Sequence, residues 1–201
     1  MVGVVLAIGA LGVMLEVDVR RATVAYVVLS AAALWTTWPH MSSTTDLAFF
    51  ALIAVLKLIA GPAMLLTLVR RYGARADLAP SFGFAWRVFA AAVVLVAAHA
   101  ASMMSAFAHV PHAAAVFTAV LASIVVVIAN RSLLAHALGL LALGSAIGLA
   151  SATFAPQLPI AVELGDAFDV ILATFVAFAI ARAVIVHDPA LDIRSMRRLR
   201  G

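Results

Sequence analysis

Residues 46–71 read DLAFFALIAVLKLIAGPAMLLTLVRR, an apolar run interrupted by one internal charge, Lys57, and closed by Arg70 and Arg71. As a helix, residues 46–69 extend about 36 Å at 1.5 Å per residue, enough to cross the roughly 30 Å of hydrocarbon in a bilayer. Within hydrocarbon every backbone N–H and C=O must be satisfied inside the segment, so the run is expected to be helical. The whole chain shares this character. Its 201 residues are 66% hydrophobic and 11% charged, with a mean hydropathy of +1.18, values that exclude an ordinary soluble domain. An all-α, polytopic transmembrane bundle is the expected fold, a single membrane domain with little chain left over for anything outside the bilayer.

The chain has no cysteine, which excludes disulfides, thiolate metal sites, iron–sulfur ligation and thiol catalysis within it. A net charge of +4 suggests a nucleic-acid binder only until the basic residues are placed. They sit at helix ends and in the tail, where they set topology, so no nucleic-acid partner is expected.

Seven apolar segments follow from the pattern: 2–17, 23–38, 46–69, 82–103, 112–129, 132–154 and 160–182. Arg20 and Arg21 follow the first, Arg70, Arg71 and Arg75 the third, Arg131 the fifth, and Arg194, Arg197, Arg198 and Arg200 the seventh. The connections after the second, fourth and sixth segments hold no Lys or Arg. This alternation implies seven spans, with the N-terminus outside and the C-terminus in the cytoplasm. The first segment ends at its basic residues, the reverse of a secretory signal, so it is expected to be retained. Trp35 and Trp38 suit a headgroup belt. Gly139, Gly144 and Gly148 read chiefly as close-packing positions.

Two segments carry the candidate chemistry. Lys57 is the only lysine and lies about 16 Å past Asp46, too deep for its side chain to reach either interface. Gly61 and Pro62 should kink the helix just beyond it, because proline removes a backbone donor. The last segment, IAVELGDAFDVILATFVAFAIAR (160–182), takes Glu163, Asp166 and Asp169 into the apolar layer on one side of a helix. Each ionised group costs roughly 2.5–3.5 kcal/mol near mid-membrane, so the acids should face protein or water. Asp169 lies at about the depth of Lys57, and the two are expected to approach each other or to share a water chain. The plainer reading is a static buried ion pair. Arg87 and His136 near the inner ends, and His99 near an outer end, would complete a ladder of titratable groups, although a histidine bonded to backbone and a snorkelling arginine explain them equally. His40, His109 and His112 lack the spacing of a metal site. No nucleophile–base pair, phosphate loop or haem motif is present, so no catalytic residue, resident cofactor or metal is expected in this chain.

Lys57 with Gly61-Pro62, Arg131-Ser132-Leu133-Leu134 with Gly139, Val162-Glu163-Leu164-Gly165 with Asp169, and the tail Leu191-Asp192-Ile193 to Leu199-Arg200-Gly201 together resemble hydrogenase-4 component E, the HyfE family. The resemblance covers nearly the whole chain. Residues 112–187 also resemble the three-helix NuoK-type subunit of complex I, which divides the chain into a four-helix part at 1–103, the NuoK-like part and a basic tail at 188–201. The resemblance implies a subunit of the membrane arm of an energy-converting hydrogenase-4-like or complex I-like oxidoreductase, contributing to proton or sodium translocation but not itself an enzyme. It also implies antiporter-like and quinone-subunit-like membrane partners. Peripheral-arm subunits would carry iron–sulfur clusters and a nickel–iron-type centre. The setting would be a bacterial or archaeal plasma membrane.

One departure stands out. The related proteins place a glutamate in the sixth segment, where this chain reads Leu140-Leu141-Ala142-Leu143-Gly144. A purely structural scaffold that docks antiporter-like subunits is therefore the alternative. A retinal-type photoreceptor would be expected to carry its lysine in the last helix, and this chain has none there. A self-sufficient transporter would favour paired broken helices in an internal repeat, which is not evident.

Overall fold

Each of the six apolar segments before residue 155 forms helix in the computed structural model, which describes residues 2–38, 44–71, 78, 83–155, 168, 172, 175, 176, 178 and 179. The helices are α1 (Val2–Leu15), α2 (Val19–Thr37), α3 (Thr44–Val55), α4 (Gly61–Arg71), α5 (Phe84–Ser102), α6 (Ala113–Ala129) and α7 (Leu133–Phe154). A π-helical turn, Leu56–Ala60, joins α3 to α4. Among the described residues there is no strand. Among the described residues, three helical stretches are long and apolar enough to cross a membrane: Thr44–Arg70, Phe84–Ser102 and Leu133–Phe154. Two shorter apolar helices are Val2–Leu15 and Ala113–Ala129.

The ends differ from expectation for local reasons. The second segment was expected to begin at Thr23, yet α2 starts at Val19, because Asp18 accepts a hydrogen bond from the Arg20 N–H at 2.7 Å and caps the helix. Arg20 and Arg21 thus belong to its first turn. His112 was expected to open the fifth helix but has a left-handed backbone, φ 64°, and stands just outside α6. Ser132 serves as the cap of α7, accepting from the Leu134 N–H at 3.2 Å. The seventh segment is described only at Phe168, Leu172, Phe175, Val176, Phe178 and Ala179, all helical. Phe168, Leu172, Phe175 and Val176 are exposed at spacings that share one helix face, while Phe178 packs against the core.

Helices α1, α2, α7 and α6 form a ring in which each packs on the next. α5 lies outside against α6 and α1, and the α3–α4 rod lies outside against α2 and α7. One continuous core runs through the ring, including Leu6, Val13, Tyr26, Leu29, Leu138 and Leu149, so residues 1–103 and the described part of 112–187 share their interior. Glycines set the tightest approaches. A Cβ on Gly9 would stand 2.9 Å from the Leu29 backbone nitrogen, and one on Gly139 would stand 2.7 Å from a Val127 methyl. Such contact is what holds helices together where no hydrophobic force distinguishes neighbour from lipid. The outer faces remain apolar: α5 exposes Phe84, Trp86, Phe89 and Val96, and α3 exposes Leu47 and Val55. Trp35 and Trp38 are also exposed at the end of α2.

Candidate functional site

The site begins with a backbone irregularity. Pro62 supplies no N–H for the carbonyl four residues before it, and the preceding turn widens, with the Gly61 N–H bonding the Leu56 carbonyl five residues back. Lys57 lies inside this π turn. Single π turns recur at functional sites because they re-aim side chains that a regular helix would place elsewhere.

Lys57 is only 6% exposed. Its Nζ donates to the Gly144 carbonyl of α7 at 3.3 Å. That carbonyl is reachable because the residue one turn above it is Gly148, whose missing Cβ would stand 3.1 Å from the ammonium nitrogen. The two glycines expected to serve packing therefore also present an acceptor and leave room for the amine. The stretch Leu140-Leu141-Ala142-Leu143-Gly144 thus meets the lysine through its backbone. A hydrogen bond to a charged group contributes about 1.5–3 kcal/mol, comparable to the roughly 2.5–3.5 kcal/mol cost of a charge at mid-membrane.

Polar neighbours surround the lysine. Ser30 of α2 and Ser145 of α7 share a buried hydrogen bond of 2.8 Å. Both line a recess with Lys57, Thr37, Ile53 and Gly148, whose volume is about 10 Å³ measured to the centre of a water-sized sphere. Thr37 bonds the Leu34 carbonyl at 2.8 Å. The Tyr26 hydroxyl is buried and lies beside both serines. Thr23, Tyr26, Ser30 and Thr37 are all buried and repeat at helical spacing along α2. Nothing in the sequence marks that buried stripe as a site, because hydroxyls carry no charge to make them costly in an apolar layer.

Arg87, His136 and His99 do not line this recess. Arg87 donates through Nη1 to the Leu15 carbonyl, capping the C-terminal end of α1, and its guanidinium lies 5.7 Å from the centre of the Phe84 ring. His136 bonds its own helix: the Ser132 carbonyl can only accept, so Nδ1 carries the proton at 2.8 Å. His99 is exposed and lines a groove with Gly3, Leu95, His112 and Thr118, between α1, α5 and α6. Arg87 and His136 are thus each held by a nearby backbone carbonyl, and His99 faces the groove. Glu163, Asp166 and Asp169 lie outside the described residues, as does the expected approach of Asp169 to Lys57. Gly61 and Pro62 sit directly after the π turn. Among the described residues no three His, Asp or Glu side chains gather as a metal site requires.

Comparison with protein-family models, with curated proteins and with solved structures finds no match to this chain.

Proposed function

We propose that this chain is a non-catalytic membrane-arm subunit of a hydrogenase-4-like or complex I-like oxidoreductase, in which Lys57 is a station for protons crossing the membrane. The observation that supports it is the lysine: the chain's only one, buried on a π turn, bonded to the carbonyl of a neighbouring helix and set beside a polar recess. An intramembrane ionisable group with these surroundings is costly to keep and serves conduction well. Sequence resemblance to the HyfE family supplies the assembly. The arrangement of seven spans, N-terminus outside, rests on the alternation of arginines between connections.

The alternative, a scaffold that docks antiporter-like subunits, draws on the apolar outer faces of α3 and α5. Purification of the tagged chain from native membranes tests the shared part of both readings. Antiporter-like and quinone-subunit-like proteins should copurify with a peripheral arm bearing iron–sulfur clusters. A chain that extracts alone would overturn the assignment to such a complex.

A further inference from the structure

The groove between α1, α5 and α6 has one polar end and an apolar length. The N-terminal parts of α1 and α6 and the C-terminal part of α5 line it. Its volume is about 500 Å³, within the roughly 300–1,000 Å³ of small-molecule sites. Along α1 the lining runs from Gly3 to Leu11, about 12 Å at 1.5 Å per residue. His99, in the last turn of α5, and His112, just before α6, lie at the end where the three helix termini meet. The His112 imidazole lies against Gly3, where a Cβ would stand 3.1 Å from Nδ1. Neither imidazole has a hydrogen-bond or ion-pair partner among the described residues. Beyond them the wall is apolar: Val4, Ile8, Leu11 and Leu95 present carbon, and the Thr118 hydroxyl is committed to the Ala114 carbonyl at 2.8 Å. No Asp or Glu is among the residues that line the groove.

We propose that this groove is a binding site for one phospholipid, with the phosphate at His99 and His112 and one acyl chain laid along Val4, Ile8, Leu11 and Leu95. In a bilayer a phospholipid presents its phosphate level with the helix ends and its chains along the helices, and the groove has the same polarity in the same direction. Each imidazole offers an N–H in either protonation state. A phosphodiester has two terminal oxygens to accept from two such donors, whereas a carbonyl has one. With no acid in the lining, nothing there repels an anion. The acyl chain adds little selectivity, because bulk lipid is as apolar as the groove wall. Discrimination therefore rests on the two imidazoles. In the orientation proposed above, the lipid belongs to the outer leaflet. The site goes beyond the reading of Lys57, which lies on the opposite side of the ring from α5.

Native mass spectrometry of the full-length chain, delipidated in mild detergent and titrated with dioleoyl phosphatidylglycerol, counts the lipids retained. The wild-type chain should hold one lipid before any others. Dioleoylglycerol, which has the same chains and no phosphate, should bind about tenfold more weakly, the scale of one hydrogen bond to a charged group. His99→Ala with His112→Ala should erase that preference for the phosphate. Ala7→Phe fills the groove from α1 while leaving both imidazoles in place, and should weaken the first binding of both lipids by about tenfold, which carries the test if the double variant folds poorly. Equal retention of the two lipids by the wild type, or a first binding unchanged in both variants, would overturn the site. Displacement of the phospholipid by an equimolar short-chain quinone, which has no phosphate, would overturn it too. The readout needs neither a partner subunit nor proton transport, so its failure is distinct from failure of the copurification on which the assembly stands.

Discussion

Single residues in this protein divide by what they bond. Lys57 reaches across to another helix, whereas Arg87 closes the end of α1 and His136 closes the start of its own helix. The sequence set Lys57 apart by its depth and left Arg87 and His136 open to plainer readings, because charge is visible in one dimension and its partner is not. What distinguished them was the acceptor, in each case a backbone carbonyl that no side-chain motif announces. Arg87→Ala leaves the Leu15 carbonyl without its donor and should lower stability by about 1–3 kcal/mol. Equilibrium unfolding of the chain in mixed micelles measures this. An unchanged midpoint would show that water or lipid headgroups cap α1 equally well.

At the scale of helices, apolar runs of sufficient length identified the segments before residue 155, and the differences lie at their ends, where Asp18, His112 and Ser132 set the first turn. Gly61-Pro62 pointed to an irregular helix near Lys57. Its form was not legible, since a missing N–H can be accommodated by a bend or by a widened turn, and the chain adopts the latter. The polar stripe Thr23, Tyr26, Ser30 and Thr37 was legible as spacing but not as a site, because only contact with α7 brings Ser145 to it. Close approach of α1 and α2 rests on Gly9, where a Cβ would strike the backbone of Leu29. Backbone cannot move aside as a side chain does, so Gly9→Ala should cost about 1–3 kcal/mol by overpacking. Thermal unfolding of the purified chain in detergent reads the shift, and an unaltered midpoint would mean that the two helices can separate without loss.

For the whole molecule, the ring of α1, α2, α7 and α6 places the recess at the meeting of α2, α7 and the α3–α4 rod, with α5 packed on the other side. Composition already pointed to apolar, membrane-type helices, but the pairing of helices was beyond it, because alanine- and glycine-rich faces fit many neighbours. The proposed role in ion translocation turns on whether the lysine handles protons or only fixes packing. The decisive measurement is proton translocation per electron by the assembled complex in proteoliposomes, wild type against Lys57→Gln, with subunit content matched between the two. A proton station predicts that translocation falls by about a hundredfold, the low end of what a positioned proton-transfer group contributes, while the complex stays intact. An unchanged ratio of protons to electrons in the intact Lys57→Gln complex would contradict it and leave the lysine a structural tie between helices.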